Sequence, residues 1–179
     1  MVKRNFLITT SLPDTWEFNE NNFILGKWCE FYEFDIFDNK KIKHILPKGI
    51  KIIKNKFHWD DLKKRSKDYE YLKEKLEDLL RVISENLSII HNTQEDKEYW
   101  RVIIYKWLSA YTAVLFDRWE HVRIFFEENK DGKFYSNYMS LNETNYIPKN
   151  HFNFVSLTQS DEWNHIIYLR LFNFLNIKN

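Results

Sequence analysis

A helix-rich α/β fold, with a small parallel or mixed sheet flanked by long helices, is what this sequence predicts. Three observations carry the prediction. Short apolar, β-branched runs near the start end in hydroxyls or a glycine, as buried strands do. From Leu72 onward, leucine and isoleucine recur at steps of three and four, as on one face of an amphipathic helix. Finally, only three Gly and three Pro in 179 residues leave little material for tight turns, which favours long helices over meanders.

The elements follow in order. Phe6-Leu-Ile-Thr-Thr10 reads as a buried strand leading into a loop closed by Pro13. Asn22-Phe-Ile-Leu-Gly26 reads as a second strand, and the spacing of Trp28, Cys29 and Tyr32 fits one face of a helical turn after it. A third strand is expected around residues 50–54, within an apolar series that includes Ile45, Leu46, Ile50, Ile52 and Ile53. His58-Trp-Asp-Asp61 opens the first long helix, with Asp60 and Asp61 placed to cap it. Its stripe comprises Leu72, Leu76, Leu79, Leu80, Ile83, Leu87 and Ile90. Thr93-Gln-Glu-Asp96 resembles a capping box and starts a second long helix reaching about Glu128.

That second helix is unusual. In Tyr99–Leu108 and Phe116–Glu120, aromatic and aliphatic residues cover nearly every face, so protein is expected to enclose it on most sides. Arg101, Asp117 and Arg118 sit among them, and unpaired charges are costly to strip of water. They either pair as structural fasteners or point into a cleft. Beyond it, Lys130-Asp-Gly-Lys133 is a turn, Phe152-Asn-Phe-Val-Ser156 a possible strand, and Thr158-Gln-Ser-Asp161 the cap of a last helix. Trp163, Ile166, Ile167, Leu169, Leu171 and Phe172 form that helix's buried side.

The length suits one domain with a real core, spanning residues 1–179. A formal charge of +1, from 27 basic and 26 acidic residues, argues against a polyanion binder, and the Lys40–Lys56 run reads as a solvated segment. No nucleic-acid partner is expected. One cysteine, Cys29, excludes an internal disulfide and suits a reducing compartment, so the expected location is cytoplasmic. No 18-residue apolar run is present to span a membrane.

Phe6-Leu-Ile-Thr-Thr10 with Trp16, and then Gly26-Lys-Trp-Cys29, resemble the start of an uncharacterised transferase family associated with O-antigen and surface-carbohydrate gene clusters. His58-Trp-Asp-Asp61, Asp68-Tyr-Glu-Tyr71, His91, Tyr99-Trp-Arg101, Trp107, Asp117-Arg-Trp119 and Ser160-Asp-Glu-Trp-Asn-His165 extend the similarity in order over almost the whole chain. The resemblance implies that this chain corresponds to the N-terminal third of a longer enzyme. It also implies a two-domain, GT-B-like glycosyltransferase architecture, whose C-terminal half carries the activated-sugar donor while the N-terminal half faces the acceptor.

The residues themselves offer candidates for such a site. His58, at a strand-to-helix junction, is placed to act as a general base. Thr9 and Thr10 end the first strand, where parallel sheets collect ligands; they either bind a phosphate or sugar hydroxyl or satisfy nearby backbone. Trp28 and Cys29 hold the equivalent place after the second strand, Cys29 reading as a small buried thiol. Asp61, with Asp60, either caps the helix or joins His58 in a metal-binding acidic cluster of the kind that holds a nucleotide-sugar diphosphate through a divalent ion, and capping explains the two carboxylates without a metal. Arg101 and Arg118 could clamp a phosphate or carboxylate, with Asp117 as their counter-charge. His91 reads as a helix-end cation, and Trp163 and His165 as packing.

The leading expectation is an N-terminal or truncated glycosyltransferase-like domain of surface-polysaccharide assembly. It would take a sugar or nucleotide-sugar ligand and be completed by a C-terminal transferase domain or partner chain, with no metal and no cofactor. The alternative is a non-catalytic helical interaction or scaffold domain completed by a partner chain.

Overall fold

A computed structural model of the chain describes residues 3–29, 32–35, 40–43, 52–54 and 56–176. In chain order its elements are strands β1 (Asn5–Ile8), β2 (Asn21–Ile24), β3 (Tyr32–Asp35), β4 (Lys40–Lys43) and β5 (Ile52–Lys54), helices α1 (Leu62–His91) and α2 (Lys97–Glu128), strand β6 (Phe134–Tyr135), and helices α3 (His151–Leu157) and α4 (Asp161–Asn176). The fold is a helix-rich α/β arrangement, as the sequence predicts. It comprises two compact units, Met1–Phe57 with Arg118–Asn179, and His58–Asp117.

The first unit is built on a four-stranded sheet in the order β5-β2-β1-β6, with every pairing parallel. Leu7 lies opposite Phe23, and Ile8 opposite Ile24. Successive side chains of a strand point to opposite faces, so a sheet covered on both faces needs apolar residues in unbroken runs. Phe6-Leu-Ile8 is such a run. Leu7 joins Val122, Phe125, Phe134, Tyr168 and Phe172 on the face covered by the end of α2 and by α4. Phe6 and Ile8 join Trp16, Ile24 and Cys29 on the other. Phe134 presents its edge to Phe23 (5.0 Å) and Phe125 (4.7 Å), arrangements that add to burial alone.

Several expectations are corrected here. Phe152–Ser156 is helical, inside α3, because the Asn150 side chain accepts from Asn153 N and caps a helix. The strand of this region is β6 instead, two residues directly after the Lys130–Lys133 turn and paired with β1. Gly132 is needed in that turn, since a Cβ there would lie 2.3 Å from the Phe134 ring. Tyr32 does not share a helical face with Trp28 and Cys29: the 3-10 turn ends at Cys29, and Tyr32 begins β3, which pairs antiparallel with β4. Ile45, Leu46 and Ile50 lie outside the described residues, while Ile52 and Ile53 form the expected third strand.

In the second unit, α1 and the first part of α2 meet through Leu76, Leu80 and Leu108, with Ile83, Ile104 and Trp107 packed against them. Asp61 caps α1, accepting from Lys63 N (2.8 Å) and Lys64 N (3.1 Å). The start of α2 is capped by Asp96, whose carboxylate accepts from Tyr99 N, rather than by Thr93. The expected enclosure of α2 fails along its first turns. Val102 is 87% exposed and Ile103 54%, while on α1 Ile90 is 73% exposed and Leu79 41%. Two packed helices bury only the stripe each turns to the other, so an all-round apolar sequence leaves its far side bare.

Candidate functional site

Parallel strands deliver their C-terminal ends to one edge of the sheet, and at that edge the first unit places the buried polar residues Thr9, Thr10 and His165. β1 runs into Thr9 and Thr10, both fully buried. The Thr9 carbonyl accepts from Trp28 Nε1 (3.0 Å), and the Thr10 carbonyl from Trp16 Nε1 and Thr15 Oγ1, both at 3.2 Å. Two indoles and a hydroxyl thus satisfy backbone that no neighbouring strand serves. Trp28 folds back over Gly26, where a Cβ would come within 2.0 Å of its ring, and it stacks on Tyr168.

Helix α4 meets this loop through two matched hydrogen bonds. Ser11 Oγ donates to Asp161 Oδ2 at 2.5 Å, and Thr9 Oγ1 shares a 2.7 Å hydrogen bond with His165 Nδ1. The geometry is simple. Four residues of helix rise about 6 Å and put Asp161 and His165 on one face of α4, where Ser11 and Thr9 meet them. Ser160 caps the helix, its Oγ accepting from Trp163 N. Arg118 fastens the same end: its Nε donates to Asn164 Oδ1, and a terminal nitrogen to the Thr158 carbonyl.

Burial shifts both titratable groups toward neutrality. The His165 imidazole, with no exposed surface, is held down to about 4 by loss of solvent, so it is uncharged at neutral pH. Asp161 is pushed above the usual carboxylate range, first by burial and further by nearby Glu162, while the Ser11 hydrogen bond opposes the rise. Two buried polar atoms here, Thr10 Oγ1 and His165 Nε2, have no hydrogen-bond partner. His165 also lines a hollow of about 190 Å³, together with Ser136, Tyr138, Ile166, Leu169 and Arg170.

The second unit carries its own buried polar pair. His58, with its side chain fully enclosed, sets Nε2 3.0 Å from Asp117 Oδ1, and its Nδ1 lies 3.9 Å from Asp68. Asp68 in turn accepts from Trp59 Nε1 (3.0 Å) and Lys64 Nζ (2.5 Å). A carboxylate on one ring nitrogen orients an imidazole and selects its tautomer. Arg101 lies elsewhere. It grips both oxygens of Glu77 at 2.6 Å and reaches Glu98 at 2.8 Å, on a surface where Glu77 remains 42% exposed. The Arg101 guanidinium holds Glu77 down to about 2, chiefly by that hydrogen bonding.

The structure therefore brings Thr9, Thr10 and Trp28 together at one edge, and pairs His58 with Asp117 in the other unit. It does not bring Arg101 to His58. Arg101 and Asp117 lie sixteen positions apart on α2, about 24 Å of rise, and Asp117 meets His58. Asp61 spends its carboxylate on the cap of α1. Asp161 and His165 were readable only as a cap and as packing; their spacing of four, which places both on one helical face, is the signal that links them.

Comparison with known proteins adds one finding. The family model described as LIC12162 family transferase matches residues 5–179. No curated protein and no solved structure matches the chain.

Proposed function

The chain belongs to the LIC12162 family of transferases, and from that premise we propose that it supplies the acceptor-facing part of a glycosyltransferase-like, two-domain enzyme of O-antigen or surface-polysaccharide assembly. The observation that carries the proposal is the convergence of Thr9, Thr10, Trp28, Asp161 and His165 at the C-terminal edge of four parallel strands. Such edges are where open α/β sheets bind ligands. Thr9 and Thr10 are the proposed contacts to a sugar or nucleotide sugar, with Trp28 shaping the wall.

Within the second unit, and separately from that edge, His58 is kept as a proposed general base, oriented by Asp117. The transfer itself would gain most of its rate from positioning and from electrostatic stabilisation. A C-terminal transferase domain or partner chain would bring the activated donor, and the chain would act as one domain within that enzyme. A cytoplasmic site of action accords with the single, buried, unbridged Cys29 and with the lack, among the described residues, of any helix long and apolar enough to cross a membrane.

Isothermal titration with UDP-, GDP- and dTDP-linked sugars and with short glycans tests this reading. Saturable binding that Thr10→Val weakens at least tenfold is expected, with melting temperature recorded alongside. No heat from any of these ligands, alone or with a C-terminal partner present, overturns it.

One observation favours a second reading. Ile89 (76% exposed), Val102 and Ile103 leave an apolar surface uncovered on α1 and α2, of the kind that marks interaction sites. A non-catalytic interaction domain would use that surface. Sedimentation velocity decides: a monomer at micromolar concentration, with no partner retained on purification, counts against it.

A further inference from the structure

The hollow lined by α4 and by the segment after β6 combines an apolar wall with a cation. Ile166, Leu169 and Phe172 form the wall, and Met139 and Leu141 add apolar surface from the segment after β6. Along α4 the lining residues Ile166, Leu169, Arg170 and Asn173 follow at steps of three, one and three, the spacing of one helical face. That spacing sets an arginine directly beside the apolar wall. Among the described residues no carboxylate lines the hollow, and Arg170, which is exposed, is its one permanent cation. Arg170 makes a further contact within the protein, and five N–H donors let it hold an anion beside that contact.

We propose that this hollow binds a small amphipathic carboxylate, with its single ring or short chain against the apolar wall and its carboxylate on the Arg170 guanidinium. A guanidinium matches a carboxylate through paired, charge-assisted hydrogen bonds, while an apolar body removes hydrocarbon surface from water. A bare anion leaves the wall wet, and a neutral ring leaves the guanidinium unused, so either half binds more weakly than the two joined. The volume, about 190 Å³, lies below that of pockets for drug-sized ligands, which excludes a nucleotide. This site stands without the transferase reading, since nothing in it calls on Thr10, Trp28 or a sugar donor.

NMR titration of isotope-labelled protein with benzoate and with hexanoate, following the Met139 methyl and Arg170 Nε–H resonances, tests it. Benzamide supplies the body without the charge, and acetate the charge without the body. Expected are saturable shifts at both residues with benzoate or hexanoate, at Kd values on the order of millimolar for so small a ligand. Benzamide and acetate should each bind about threefold more weakly than benzoate, or worse. Arg170→Gln should weaken benzoate about threefold and leave benzamide unchanged, whereas Leu169→Trp, which fills the hollow, should remove both. Because Arg170 is exposed, the first variant keeps the test decisive even where the second misfolds. Absence of shifts at Met139 with both carboxylates overturns the proposal. So does benzamide or acetate binding as tightly as benzoate, or unchanged benzoate affinity in Arg170→Gln.

Discussion

Thr9 and His165, 156 positions apart, share a 2.7 Å hydrogen bond that joins the end of the central strand to the second turn of α4. Both residues are fully buried, so each is the other's substitute for water. Thr9→Val keeps the shape and removes the hydroxyl, leaving His165 Nδ1 unsatisfied. The expected loss is about 1–3 kcal/mol of unfolding free energy, measured by urea denaturation. A change below about 0.5 kcal/mol would show that the pair is held by something else.

Acid should destabilise the chain through the same imidazole. Its folded value, about 4, lies below the ordinary 6.5, so the unfolded chain binds the proton more tightly. The neutral-imidazole contribution is complete above pH 6.5 and is lost as pH falls from 6.5 toward 4, by up to about 3 kcal/mol. Asp161, whose pKa is raised, works in the opposite sense: its contribution is present below 3.8 and lost as pH rises through its folded value. Melting temperature of the wild type against His165→Phe, scanned from pH 7.5 to 4.5, separates the two. The variant should show the shallower slope.

His58 and Asp117 should behave as a coupled pair. Removing Asp117 takes from the buried imidazole the carboxylate at 3.0 Å, and removing His58 takes from Asp117 that same contact. Each single change to Ala is expected to cost about 2 kcal/mol, and the double variant clearly less than their sum. Strict additivity in a denaturation-based double-mutant cycle would show that the 3.0 Å contact carries no energy.

Asp61→Ser offers a clean choice between capping and ligand binding. Serine caps nearly as well, so stability should fall by no more than about 0.5 kcal/mol, whereas Asp61→Ala should cost about 1 kcal/mol. If nucleotide-sugar affinity drops in Asp61→Ser while stability holds, the carboxylate has a role beyond the cap.

Arg101→Ala is expected to leave any sugar binding unchanged and to lower the melting temperature only slightly. The difference should shrink further in 1 M NaCl, because the guanidinium and Glu77 meet at the surface. A large loss of ligand affinity would return Arg101 to the binding site.

Strand and helix positions were legible because local signals suffice for them. Phe6-Leu-Ile8 and Asn22-Phe-Ile24 are β-branched or aromatic runs with turn residues after them, and the α1 stripe repeats over many turns. Phe152–Ser156 misled because a five-residue apolar run fits strand and helix alike, and the deciding Asn150 cap lies outside it. β6 escaped notice since a two-residue strand has no period of its own; β1 makes it a strand by pairing with it.

By itself the sequence determined that the chain forms short strands early, in a parallel or mixed sheet, two long helices after them, and a loop opening on two threonines at the end of the first strand. Apolar spacing, caps and turn residues act over a few positions, so they can be read in place. Only the tertiary structure decided which charges meet. Asp117 meets His58, Arg101 grips Glu77 at the surface, and His165 closes on Thr9, because burial and hydrogen bonding between residues distant in sequence depend on tertiary packing.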